Sequence, residues 1–202
     1  MATIYDLKPR FQASLRPMAT RLVRAGVTAN AVTGAALAMS LAQGALIALW
    51  PGARWPLLLL PLTLFVRMAL NAIDGIMAKE HGQKSVSGAV LNELSDVVSD
   101  AALYLPFALI ADVNAPLVVL IVVAGLIAEM AGVLGPMIGA SRRYDGPFGK
   151  SDRAFGFGLL AVLLGLGLSP GIWTTLILAA MLVLSVFTVW NRACRAVAEA
   201  RG

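Results

Sequence analysis

Asn71-Ala-Ile-Asp74-Gly75-Ile-Met-Ala78-Lys79, followed after eight residues by Gly88-Ala-Val-Leu-Asn92-Glu-Leu-Ser-Asp96, places polar side chains inside two apolar runs. A carboxylate at membrane depth costs roughly 2.5–3.5 kcal/mol on insertion scales, so a cluster of them marks a site. Asp74, Glu93, Asp96, Asp100 and Glu129 all lie in such runs, with Arg67 beside them. The runs are read as helices, because a closed helix satisfies its own backbone in lipid. At about 100° per residue, Arg67, Asn71, Asp74, Gly75 and Ala78 fall within an arc of roughly 100° on one helix. Asn92, Glu93, Asp96 and Asp100 do the same on the next. A short loop joins the two, which makes them antiparallel neighbours. Their polar stripes are therefore expected to face each other.

Working outward, the chain is 59% hydrophobic and only 13% charged, about half the charge usual for a soluble domain. Spans are expected near 28–50, 56–78, 86–111, 115–140, 153–169 and 171–191, separated by turn-forming residues. The fold class expected is all-α: a polytopic membrane protein of six transmembrane helices with an N-terminal interfacial amphipathic helix. Residues 1–26 form that segment, 27–193 the six-helix domain and 194–202 a cytoplasmic tail. Phe11, Leu15, Met18 and Leu22 recur at helical spacing between arginines, which suits the headgroup layer. Pro17 is expected to bend or break this helix. No cleavable signal is expected, since the first 26 residues hold five basic residues and no apolar core segment.

With six spans, the two termini and two of the loops share a side carrying fourteen Lys and Arg residues. The other side carries only Arg54. That asymmetry puts both termini, and the polar site, on the cytoplasmic side, which for a bacterial chain means the inner membrane. The net charge of +5 is topological, and no nucleic-acid partner is expected.

Crowded carboxylates take up protons or bind a cation. Oxygen donors without histidine or cysteine favour Mg2+, Mn2+ or Ca2+. Lys79, Lys84, Arg142, Arg143, Lys150 and Arg153 form a basic rim that suits a phosphate or pyrophosphate. Arg67 is expected to neutralise Asp100 near mid-membrane, together with Glu129.

The quoted stretch resembles the signature of the CDP-alcohol phosphotransferase family, D-x2-D-G-x2-A-R-x8-G-x3-D-x3-D, with every spacing kept over 26 residues. Leu22 to Thr33 also resembles that family's approach to its first span. The resemblance implies transfer of a substituted phosphate, commonly phosphatidyl from CDP-diacylglycerol, to an alcohol acceptor. CMP is released, Mg2+ or Mn2+ is required, and a homodimer among membrane lipids is implied. Carried over by position, Asn71, Asp74, Asn92 and Asp96 are metal ligands and Asp96 the general base. Gly75, Ala78, Lys79 and Gly88 contact the nucleotide donor. Basic residues near the 142–153 loop, here Arg142, Arg143, Lys150 and Arg153, bind a phosphorylated acceptor. Asn71 and Asn92 replace aspartates and Lys79 replaces arginine, which removes two negative charges and a planar fork. Glu93 and Asp100 lie on the same stripe and are candidates to replace the lost ligands.

Two other readings stand beside this one. A proton- or cation-coupled transporter also uses carboxylates in a bundle, but broken helices or an inverted repeat would accompany it. A catalytically silent, lipid-binding relative is the other. His81 is read as a solvated loop residue and Cys194 as a bland one. Trp50, Trp55, Trp173 and Trp190 sit near span ends as interfacial anchors.

Overall fold

The computed structural model describes residues 4–201, with side chains from Phe11 onward. Residues 1–3 and Gly202, the outer ends of the expected N-terminal segment and C-terminal tail, lie outside the described residues, as do the side chains of Lys8 and Arg10. The described residues contain helices and no strand: α1 Ile4–Arg24, α2 Ala29–Leu49, α3 Trp55–Glu80, α4 Val86–Tyr104, α5 Ala115–Leu134, α6 Lys150–Gly165 and α7 Ile172–Arg201. Short 3-10 turns, Leu105–Leu109 and Gly135–Ile138, extend α4 and α5. Among the described residues, four segments are long and apolar enough to cross a membrane: Ala29–Leu49, Trp55–Glu80, Ala115–Ile138 and Ile172–Arg201. The other two expected spans fall on α4 and α6. Helix α4 carries three carboxylates in 19 residues. Helix α6 has 16 residues, about 24 Å against a hydrocarbon core of about 30 Å.

The chain divides into two compact units. The first runs through Ala42 and includes Leu62–Ser99. Its core joins Ala19 of α1 with Ala29 and Val32 of α2 and Ile73, Ile76 and Met77 of α3. Leu15 and Leu22 pack against it, while Met18 is half exposed. The apolar stripe of α1 thus serves largely as a protein contact. Phe11 meets Phe65 edge-on at 6.1 Å, and Arg16 holds Glu80 with hydrogen bonds of 3.0–3.1 Å. Pro17 does not break α1, which is continuous to Arg24. The helix stops where Gly26, at φ +80, turns left-handed and its N–H reaches Val23 O.

The loop between α3 and α4 is tied to the start of α2. Gln83 Oε1 accepts from Ala29 N at 2.6 Å. Thr28 Oγ1 caps the first turn of α2 by accepting from Ala31 N. Ser85 Oγ does the same for α4, accepting from Gly88 N.

The second unit comprises Gln43–Pro61 and the chain from Asp100 onward. Its centre is the α5–α7 pair with α6 packed on α7. Tyr104 stacks on Phe157 at 4.3 Å, and Phe107 meets the same ring edge-on. The glycines of α6 allow close approach. A Cβ on Gly156 would touch Met181, and one on Gly165 would fall 2.7 Å from Leu58. Helix α7 continues through residues 194–201, so this part of the expected tail is helical.

A loop between α5 and α6 is clamped to the end of α7. Asp145 accepts from Arg143 Nε at 2.7 Å and from Arg195 Nη1 at 2.8 Å. Glu199 accepts from Ser141 N and Oγ and from Arg143. The hydrogen bond from Arg143 chiefly holds the Asp145 carboxyl below its ordinary 3.8, against the opposing effect of burial. A depressed folded value means the clamp is complete above the ordinary carboxylate range and is lost as pH falls through the depressed value. Amide exchange over 141–149, corrected for intrinsic rates, is expected to stay flat down to about pH 5 and to accelerate only below about pH 4. Acceleration beginning near neutral pH would contradict this.

Candidate functional site

The two polar stripes meet in the first unit. A cavity of about 750 Å³ lies between α2, α3 and α4, a size that suits a ligand headgroup. Seven signature positions line it, Asn71, Asp74, Gly75, Ala78, Lys79, Gly88 and Asn92, together with Lys84 of the expected basic rim. The i, i+3, i+4 and i+7 spacing from Asn71 to Ala78 turns those side chains the same way on α3.

Asp74 is buried, and its Oδ2 accepts from Thr33 Oγ1 at 2.7 Å. A hydroxyl from α2 thus fixes the cavity's carboxylate. Asp96 is not on the cavity wall but one turn beyond Asn92 on α4. Asn71 Nδ2 donates to Asp96 Oδ1 at 3.1 Å, which ties Asp96 to a wall residue. Arg67 donates to the Asp96 carbonyl at 3.1 Å and forms an ion pair with its Oδ1 at 3.4 Å. The Arg67 side chain is only 5% exposed.

Two glycines differ in what they protect. A Cβ on Gly88 would lie 2.7 Å from both Asn30 Oδ1 and Ser85 Oγ, so that glycine permits protein packing. A Cβ on Gly75 would meet nothing within 4 Å. It would project into open cavity, so Gly75 keeps space for something other than protein.

The remaining candidates divide. Glu93 is half-buried and not on the cavity wall. Asp100 and Glu129 belong to the second unit, where Arg153 Nη2 reaches them at 3.0 and 2.9 Å. Arg192 reaches Glu129 at 3.3 Å. Arg143 is used in the loop clamp, Arg142 lies 4.8 Å over the Tyr144 ring, and Lys150 opens α6 half-buried. Sequence reasoning missed four polar wall residues: Asn30, Thr33, Gln83 and Ser85. Asn30 and Thr33 were detectable as polar residues three apart on an apolar helix. Gln83 and Ser85 carry no such signal, because loop residues have no periodicity to read.

The wall carries one carboxylate, Asp74, and two ammonium groups, Lys79 and Lys84, among amides and hydroxyls. That balance attracts anions. Among the described residues no three carboxylate, imidazole or thiolate groups gather into a metal-holding cluster. The donor set of Asp74 with the amide oxygens of Asn71 and Asn92 fits one hard cation that completes its shell with water or phosphate oxygens.

This helical arrangement is also found in solved structures. Phosphatidylinositol phosphate synthase PgsA1 of Mycobacterium tuberculosis, crystallised with manganese and citrate, matches with a TM-score of 0.74 at 23% identity, covering 90% of this chain and 88% of that one. The same synthase with CDP-DAG bound matches at 0.70 and 20% identity, covering 91% and 92%. No family model matches the chain. The fold is that of the CDP-alcohol phosphotransferases, the class whose signature α3 and α4 resemble. Inner membrane protein YnbA of Escherichia coli strain K12 is 46% identical over 197 residues, 96% of each chain, and the chain belongs to the same family. Its own apolar helices and this relationship describe an integral membrane protein.

Proposed function

We propose that the chain is a divalent-metal-dependent phosphatidyltransferase of the inner membrane, moving phosphatidyl from CDP-diacylglycerol to an alcohol and releasing CMP. One observation carries this reading: seven signature positions, Lys79 among them, line a single cavity that also holds Lys84. The neighbour structures with CDP-DAG and with manganese support the donor and the metal. Six spans, cytoplasmic termini, a cytoplasmic-side cavity and a homodimer belong to the same proposal.

Asp74, with the amide oxygens of Asn71 and Asn92, would hold the divalent ion. Bound there, such an ion offsets negative charge on the donor's phosphates. Thr33 orients Asp74. Lys79 and Lys84 attract the pyrophosphate and stabilise charge developing on the leaving CMP. Gly75 and Ala78 leave room for the nucleotide. The acceptor oxygen bonds to the phosphatidyl phosphorus while the bond from that phosphorus to the bridging oxygen breaks. CMP departs with that electron pair, and the hydroxyl proton passes to Asp96.

The basic residues assigned to the acceptor are Arg142, Arg143, Lys150 and Arg153. Buried Arg153 Nη1 has no hydrogen-bond partner, which favours an acceptor that is itself anionic. Protein reconstituted in liposomes with CDP-diacylglycerol and paired alcohols, phosphorylated and not, tests both parts by mass spectrometry of the lipid product. New phospholipid is expected, with at least about tenfold preference for the phosphorylated partner. CDP-diacylglycerol left intact with every acceptor would defeat the proposal.

Gly75 offers a substitution that separates fold from function. Gly75→Ala adds a methyl that meets no protein atom and raises helix propensity by up to about 1 kcal/mol. Its thermal midpoint is expected to equal or exceed wild type. Its turnover of CDP-diacylglycerol is expected to fall by about tenfold or more, because the methyl occupies donor space. Unchanged turnover would place the donor elsewhere.

A further inference from the structure

We infer that this cavity takes one divalent cation per chain, with the Arg67 guanidinium supplying the positive charge at Asp96 that a second ion would otherwise provide. The inference rests on the proposed metal-dependent function and concerns how many ions serve it.

Two divalent ions side by side bring four positive charges, which the donor's pyrophosphate offsets only in part and carboxylates must complete. The first unit supplies two at the relevant positions, Asp74 and Asp96. Asp96 is already matched. Arg67 bonds both its carbonyl and its Oδ1, and Asn71 donates an amide N–H to that same Oδ1. A guanidinium in a protein cannot be deprotonated, so this charge is permanent. Its side chain is 5% exposed on continuous helix α3, so it is not a flexible surface group that swings aside for a metal. Asp74 is the cavity's carboxylate, and its other neighbours on the wall include two lysines.

The Asn71 contact has a second consequence. With Nδ2 turned to Asp96, the amide oxygen is the atom left for a cation beside Asp74. An aspartate at position 71 would instead set a second anion against Asp96 Oδ1, where the amide N–H now stands at 3.1 Å, and the two carboxylates would compete for the Arg67 guanidinium. Asparagine at 71 and arginine at 67 are therefore matched to each other: the amide donates where a carboxylate would repel.

The test counts ions rather than turnovers. Purified chain saturated with Mn2+ and CDP-diacylglycerol is examined by metal analysis and by electron paramagnetic resonance. One Mn2+ per chain with an uncoupled six-line spectrum is expected. Asn71→Asp with Asn92→Asp and Arg67→Gln is expected to raise the count towards two, with spin coupling between the ions. Arg67→Lys, which keeps the charge, is expected to stay at one. Two coupled ions in the wild-type chain would overturn the inference and leave the proposed activity standing. No tightly bound ion in the wild-type chain, despite bound CDP-diacylglycerol, would overturn the metal-dependent reading along with it. If the triple variant fails to fold, the wild-type count and spectrum still decide the matter.

Discussion

Asp74→Asn is expected to abolish transfer, with a loss of about 10³-fold in turnover and little change in thermal midpoint. The asparagine keeps the shape, and its amide oxygen still accepts from Thr33 Oγ1, which bonds Asp74 Oδ2 at 2.7 Å in the wild type. What goes is the cavity's carboxylate charge. Because Asp74 is 6% exposed, removing that charge also removes a desolvation cost, so stability should not suffer. Thr33→Val frees the carboxylate to reorient and should cost less, about tenfold. Radiolabelled CMP release with Mg2+ or Mn2+ measures both. Wild-type rates in Asp74→Asn would remove Asp74 from the chemistry.

Arg153→Met is expected to produce the largest loss of stability. Arg153 is 2% exposed and reaches Asp100 and Glu129, whose side chains are themselves mostly buried. Removing it takes a guanidinium away from two buried carboxylates, Asp100 and Glu129, the second of which Arg192 also reaches. Breaking a buried pair in this way costs about 3–5 kcal/mol, which corresponds to a fall of roughly 10 °C in a chain of this size. Adding Asp100→Asn to the Arg153→Met protein should recover part of that loss, since one buried negative charge disappears. Thermal unfolding in detergent, followed by tryptophan fluorescence, measures this. An unchanged midpoint in Arg153→Met would mean the network is held another way.

The α3–α4 stripe was legible because a helix converts spacing into direction. Asn71, Asp74, Gly75 and Ala78 could be placed on one wall without coordinates. The span starts expected near 28, 86 and 115 fall close to Thr28, Ser85 and Asn114, whose oxygens cap α2, α4 and α5. Pairing between distant helices was not. Arg153 meets Asp100 across 53 residues, and no periodicity in a single helix announces such a partner. The basic rim read as one phosphate-binding group is used differently residue by residue: Arg143 in a loop clamp, Arg153 in a buried ion pair, Lys79 and Lys84 on the cavity wall. Pro17 misled because the loss of one backbone donor is tolerable in a helix packed by Ala19 and Leu22. The hydrophobic stripe of α1 was visible, but whether lipid or α3 would cover it depends on tertiary contacts.

The claim beneath all of this is that the facing walls of α3 and α4 hold the CDP-linked donor. Cys194, the chain's one cysteine, is exposed, so cysteine protection tests it directly. Ala78→Cys in a Cys194→Ser background puts one thiol on the cavity wall, and the native chain supplies Cys194 as the control. With Mn2+ and CDP-diacylglycerol, alkylation at position 78 is expected to slow by about tenfold or more while Cys194 reacts as before. Equal alkylation rates at position 78 with and without saturating donor would contradict the account.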